Sequence, residues 1–270
     1  MLIAPRSATL AAWMRSWRAG LVSYDDVLDE VRGDDAEHLV DSADPDPLSG
    51  EPVDLRAGLA AFSRLDPDEI WLVLPSPGDP RGLPGPGPFT DAALLAGEGV
   101  LCATVGLVPE IATTKSGSGD VWHNVTWRRA AVAKPADPLA ALHVVDPLVR
   151  ARGGAPSVPE ADHDLVLALQ ETTDQLRRLD VARWRPELAT ALGSLRGTAA
   201  STVLPPGYDE RCGRLLTRAT TVARIVAIAS TDAPGAAVTA YEASERDAAL
   251  RPLATAARRA HTAAINAPLR

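Results

Sequence analysis

Apolar residues recur every three to four positions near the start of the chain and again beyond residue 157, whereas the middle alternates or runs apolar without a break. That switch of period predicts helices at both ends and strands between them. Over 7–18, Leu10, Trp13, Met14 and Trp17 share one helical face, and Gly20 supplies the stop. Ser23 and Asp26 form a capping-box variant ahead of Val27, Leu28 and Val31, with Gly33 closing that helix. Residues 34–53 are acidic, broken by Pro45, Pro47 and Gly50, and read as a surface loop. Asp54 is an N-cap candidate for a third helix whose buried stripe is Leu55, Leu59, Phe62 and Leu65.

Three strands are predicted in the middle, at 69–74, 99–108 and 121–128. The second, GVLCATVGLV, is almost continuously apolar, as a central strand would be. The third alternates, with Val121, His123, Val125 and Trp127 on one face and Trp122, Asn124, Thr126 and Arg128 on the other. A short helix at 90–96 would make the first two strands a parallel crossover unit, while 99–108 and 121–128 pair antiparallel across the turn at 113–120.

From Pro159 onward the pattern is helical. Ser157 and Glu160 make a full capping box with proline in the first turn, and Leu165, Leu169, Thr172, Leu176 and Leu179 follow at helical spacing. A helix opened by Pro186 carries Leu188, Leu192 and Leu195. Another, after the LPPG loop, aligns Tyr208, Cys212, Leu215, Ala219, Val222 and Val226. Asp232 and Pro234 start a last helical region that Pro252 should kink or split. The expected fold class is α+β and mostly helical: a small three-stranded mixed or antiparallel sheet with N-terminal helices, then a C-terminal antiparallel helical bundle. The expected division is an α/β region at 1–153 and a helical region at 154–270, packed together as one compact unit.

Composition narrows the function classes. A formal net charge of −8 argues against broad affinity for nucleic acid or anionic membranes. Twelve Asp and Glu residues fall within 25–54 against Arg32 and His38, an asymmetry that suits either docking or a solvated acidic face. Arg177, Arg178, Arg183 and Arg185 around Trp184 read as a basic helix end. Cys102 and Cys212 lack a CxxC partner and read as small buried hydrophobes. No run of 18 apolar residues occurs and the N-terminus does not read as a signal peptide, so a cytoplasmic protein without membrane contact is expected.

Residues 75–89, PSPGDPRGLPGPGPF, hold six prolines and four glycines between an apolar strand and a helix start. Such punctuation excludes helix interior and central strand, leaving a stiff loop held by a scaffold. Asp79 could orient Arg81 toward a carboxylate or phosphate, and the helix N-terminus at Thr90 would favour the same anion. The string matches neither the dinucleotide fingerprint nor the P-loop, and its prolines remove N–H donors that a phosphate cradle needs. Bracing of the sheet is the better reading.

His123, with Asn124 beside it, is a candidate base or ligand contact next to Trp122 and Trp127, although its face companions favour a core histidine. His143, in an apolar run, invites the same reading. Glu160 and His163 have the spacing of half a di-iron site, but no second pair exists and capping already explains Glu160. No catalytic set, metal site or cofactor is expected. The sequence does not decide between an enzyme and a binding protein. It favours a non-enzymatic interaction or scaffolding protein, acting on a protein partner or on itself. The alternative is an anionic-ligand binder or enzyme with its site at loop 75–89 and the residues Asp79, Arg81, Thr90, His123 and Asn124.

Overall fold

The computed structural model describes residues 5–41, 51–132, 147–178, 203–230 and 240–270. Two compact units emerge. Of the described residues, one comprises 5–41, 51–132, 147–155, 204–208 and 268–270, and the other 156–178, 203, 209–230 and 240–267. The expected helix at 186–195, His143, the arginine patch around Trp184 and the helix start at 232–234 lie outside the described residues.

The first unit opens with α1 (Arg6–Arg18) and α2 (Tyr24–Arg32), followed by strands β1 (Glu37–Val40) and β2 (Val53–Asp54). Helix α3 (Leu55–Ala60) and two 3-10 turns lead into β3 (Ile70–Val73). Then come α4 (Pro88–Ala96), β4 (Gly99–Cys102), β5 (Val105–Lys115), β6 (Val121–Ala131) and α5 (Pro147–Arg152). The strands form one six-stranded mixed sheet in the order β2-β1-β6-β5-β4-β3. The β1–β6 pair is parallel and the others are antiparallel.

This overturns the expected three-stranded sheet at two places. The acidic segment read as loop contributes β1 and β2, because four residues with His38 and Val40 turned inward suffice to pair with β6. The apolar run 99–108 is not one strand but two, joined by a two-residue turn at Ala103–Thr104. Ala103 takes φ 54°, a left-handed conformation usually signalled by Gly or Asn, so the turn carried no composition cue. β3 and β4, joined through α4, pair antiparallel, so they do not form the expected parallel crossover.

Alternation sends the two faces of the sheet into two apolar layers. On one, Leu10 and Met14 of α1 with Leu59 and Phe62 meet Ile70, Val100, Cys102 and Leu107. On the other, Leu83, Phe89, Ala93 and Ala151 pack on Val73, Leu101, Val108 and Val132. Gly106 of β5 lies directly beneath the Phe89 ring, where any Cβ would overlap it.

The second unit contains α6 (Val158–Arg178), α7 (Glu210–Ser230) and α8 (Ala240–Asn266). Ser157 caps α6 as its spacing predicts, with the Glu160 carboxylate taking the Ser157 N–H at 2.8 Å and its hydroxyl at 2.7 Å. Of the expected stripe of α6, Leu165 and Thr172 are buried together with Ala161 and Ala168, while Leu169 is exposed. On α7 the positions Cys212, Leu215, Ala219, Val222 and Val226 are all buried, whereas Tyr208, expected on the same stripe, precedes the helix. Helix α8 runs through Pro252 as one helix, with that proline on its exposed side. No helix among the described residues is long and apolar enough to cross a membrane.

Candidate functional site

Loop 75–87 is folded onto the sheet. Asp79 N–H bonds to the Ser76 carbonyl at 2.9 Å and Leu83 N–H to the Pro80 carbonyl at 3.2 Å, giving two successive tight turns. Leu83 at 6% exposure and Phe89 at 0% root the segment in the apolar layer. Asp79 and Arg81 approach to 3.4 Å, with the arginine largely exposed and the aspartate sheltered. The Thr90 hydroxyl donates to the Gly85 carbonyl, so it serves the turn into α4.

His123 and Asn124 sit elsewhere, on β6, which is separated from β3 and the start of the loop by β5 and β4. Three strand spacings put that distance at about 14 Å. His123 pairs across the ladder with Thr113, its Nδ1 lying 3.0 Å from the threonine hydroxyl. Asn124 points to the opposite face, across from Ala112. The structure thus brings Asp79, Arg81 and Thr90 into one loop and leaves His123 and Asn124 on a separate hairpin.

A polar chain absent from the sequence reading lies at the N-terminus of α1. Arg6 donates two hydrogen bonds to the Asp35 carboxylate, each 2.6 Å, and Asp35 lies 3.0 Å from His38 Nε2. Trp127 Nε1 donates to His38 Nδ1 at 3.1 Å within the buried interior. An indole N–H can only donate, so Nδ1 accepts and Nε2 carries the proton toward Asp35. Burial lowers the His38 pKa, against the opposing pull of Asp35, and keeps the ring neutral. Burial would raise the Asp35 carboxyl, but its bonds from Arg6 and His38 outweigh that and hold it below its ordinary value. Both histidine nitrogens are engaged and the side chain is 1% exposed, so this Asp–His pair braces β1. Its local signal was the Asp35–His38 spacing; Arg6 and Trp127 reach it only through the fold.

Helix α1 has no side-chain cap of its own. The carboxylate of Glu98, fully buried, instead accepts the Ser7 N–H at 2.7 Å. Burial raises its pKa despite that bond and the nearby Arg6. The Cys102 thiol is pushed up to about 12 by burial, which leaves it without nucleophilic character at neutral pH. In the second unit, Glu160 is committed to Ser157 and Asp162 to Arg218. No group of three metal-ligating side chains occurs among the described residues.

The β5–β6 hairpin is the feature left open. Its base is packed, with Val108, Pro109, Val125 and Trp127 buried, but Ala112, Thr113, Thr114, Lys115, Val121 and Trp122 are exposed toward the tip. Trp122 is 39% and Val121 50% exposed, large apolar side chains on a ribbon with both faces solvated. One edge of that ribbon is unpaired among the described residues as well. The Thr104 carbonyl bonds to Val132 N–H at one end of the hairpin and Ser116 N–H to the Asp120 carbonyl at the other. Even-numbered residues of β5 therefore bond to β6, and the odd-numbered ones turn their N–H and C=O groups the other way. On that side β4 pairs only with Val105 to Leu107. Among the described residues no strand or side chain meets the main chain of Pro109, Ile111, Thr113 or Lys115 there.

Two family models, both built on Rv1486c-like proteins, match this chain: the N-terminal domain over residues 7–142 and the C-terminal domain over 159–262. The chain belongs to the Rv1486c-like family. Similar relatives from Mycobacterium tuberculosis are the "Uncharacterized protein Rv1486c" of strain H37Rv and the "Uncharacterized protein MT1533" of strain CDC 1551. Each is 30% identical over 295 residues, covering 97% of this chain and 96% of the relative. No solved structure matches the chain. In this Rv1486c-like protein the N-terminal match includes the whole six-stranded sheet and its hairpin, and the C-terminal match includes α7 and most of α6 and α8.

Proposed function

We propose that this Rv1486c-like protein is a non-catalytic interaction protein that engages a protein partner through the β5–β6 hairpin. The observation that carries the reading is the solvated ribbon bearing Trp122 and Val121 beside a strand edge that is unpaired among the described residues. Isolated exposed apolar residues are ordinary, but a ribbon with an exposed apolar side chain on each face and open main-chain donors and acceptors along one edge offers what strand-pairing recognition uses. The chemistry-bearing side chains support the same reading, since His38 is fully engaged and Cys102 is buried and inert. The net charge of −8 disfavours nucleic acid as the partner, and a cytoplasmic setting fits the reading. The second reading, an anion site at Asp79, Arg81 and Thr90, draws on the exposed guanidinium of Arg81 beside Asp79. It is the weaker one, because the Thr90 hydroxyl already serves the Gly85 carbonyl.

A photo-crosslinking amino acid at position 122 separates the two when the protein is expressed in its own cells. A protein adduct at 122, with none from the same group at 81, is the expected result. Adducts at 81 alone, or none at 122, would overturn the hairpin as the interaction surface.

A further inference from the structure

We propose that residues 204–208 and 268–270 form a two-piece clasp that closes on the C-terminal turn of α1 and is set by the helix ends to which it is tied. The inference stands apart from the hairpin. Both pieces belong to the sheet unit, although their neighbours along the chain lie in the helical one.

The first piece is the LPPGY segment, Leu204 to Tyr208. Ser16 of α1, fully buried, donates its hydroxyl to the Pro206 carbonyl at 2.8 Å. Beside it the Arg15 guanidinium reaches the Tyr208 hydroxyl at 3.5 Å and lies 6.0 Å from the centre of that ring. Arg15 is 1% exposed, and a charge so deeply buried needs polar groups around it. The strap supplies Tyr208, and Asp68 stands on the same guanidinium at 3.6 Å. The second piece locks the first. Arg270 N–H bonds to the Gly207 carbonyl at 2.9 Å, and Leu269 and Leu21 both lie against Gly207. Gly207 takes φ 101°, a conformation that side chains avoid, and a Cβ there would overlap Leu21.

Attachment makes this contact a device. Asp209, the residue after the strap, caps α7 by accepting Arg211 N–H at 2.8 Å, and α8 ends at Asn266, just ahead of Pro268. Formed helix ends leave the clasp pieces little slack. An unwound end lengthens the free chain on one side, and closing the clasp then costs more entropy. The end of α1 is where the change is felt, because Leu21 N–H bonds to the Ser16 carbonyl and so joins the residue under Gly207 to the one that holds Pro206.

Residue-resolved amide exchange of the full chain reads the clasp. Ala19, Gly20 and Leu21 close the end of α1 on the carbonyls of Arg15, Trp17 and Ser16, while Ser7 N–H at the other end is held by Glu98. Gly207→Val is expected to speed exchange of Ala19, Gly20 and Leu21 about tenfold or more and to leave Ser7 and the β4 amides unchanged. Ser16→Ala and Arg270→Pro, each removing one clasp hydrogen bond, are expected to give the same pattern at about fivefold, and they stand in if Gly207→Val does not fold. Asp209→Ala, which takes the cap from α7, is expected to speed the same three amides about fivefold in the wild-type background and less than about twofold once a clasp variant has opened them.

Even acceleration along the whole of α1 and β4 would mark general destabilisation and overturn the clasp. So would unchanged exchange of Ala19, Gly20 and Leu21 in the clasp variants. An Asp209→Ala effect that is missing from the wild-type background, or undiminished in the clasp variants, overturns the tie to the helix end.

Discussion

Gly106→Ala lowers the stability of the sheet unit by about 3 kcal/mol or more, and the loss shrinks when Phe89 is also reduced to leucine. The added methyl meets a ring that has no free direction to move. Phe89 is 0% exposed and packs among Val73, Leu83, Ala93, Leu101, Val108, Val132 and Ala151. Gly106 meanwhile is held in the ladder on both sides, opposite Leu101 and Ala130. Ordinary overpacking costs about 1–3 kcal/mol; a fixed ring over a doubly paired strand puts this substitution at the upper end or past it. Urea unfolding of the two single variants and the double variant measures the coupling. The double is expected to cost less than the sum by about 1–3 kcal/mol, and strict additivity would show that the ring does not occupy the Gly106 face.

The helical unit loses about 3 kcal/mol of stability as pH falls from 6.5 to 4, and substitution of His261 by leucine removes that loss. His261 lies on α8 at 5% exposure, and burial alone depresses its pKa from 6.5 to about 4. The sign follows from proton binding. Between those two values the unfolded chain takes up a proton that the folded chain refuses, so stability rises with pH across the window. Above 6.5 both states are neutral at this site and the contribution is flat. Below 4 both are charged and the full loss has been incurred. Glu98, with its raised pKa, belongs to the other unit and acts in the opposite direction, so the comparison of wild type with His261→Leu isolates the histidine. Denaturant midpoints of α6–α8 unfolding at pH 7, 5.5 and 4.5 give the slope; equal slopes for the two proteins would contradict a neutral buried His261.

Local signals were legible where they are self-contained. The capping boxes at Ser23–Asp26 and Ser157–Glu160 form as spaced, because each needs only residues within one turn. The stripe of α7 was readable for the same reason. What failed needed partners far along the chain. β1 is a four-residue strand in an acidic segment, and nothing local distinguishes it from loop until β6 pairs with it across more than eighty residues of sequence. The polar chain from Arg6 to Trp127 is assembled from three elements in the same way.

The miss at Ala103 mattered most. Reading 99–108 as one strand hid the hairpin between β4 and β5. It also hid the point at which β4 ends and the edge of β5 becomes bare. A turn built on an alanine at positive φ has no composition cue, so the candidate surface was illegible even though Trp122 and His123 had been singled out beside it. Loop 75–89 was legible as a stiff, shaped segment. Its anchorage through Leu83 and Phe89 required the fold.

Residue-resolved amide hydrogen exchange along β5 tests the bare edge most directly. In dilute protein, Ala112 and Thr114 should be protected by their bonds to β6, while Ile111 and Thr113 exchange at rates close to those of an open chain. Equal protection of all four amides in dilute protein would mean that the edge is already covered, and would contradict the account.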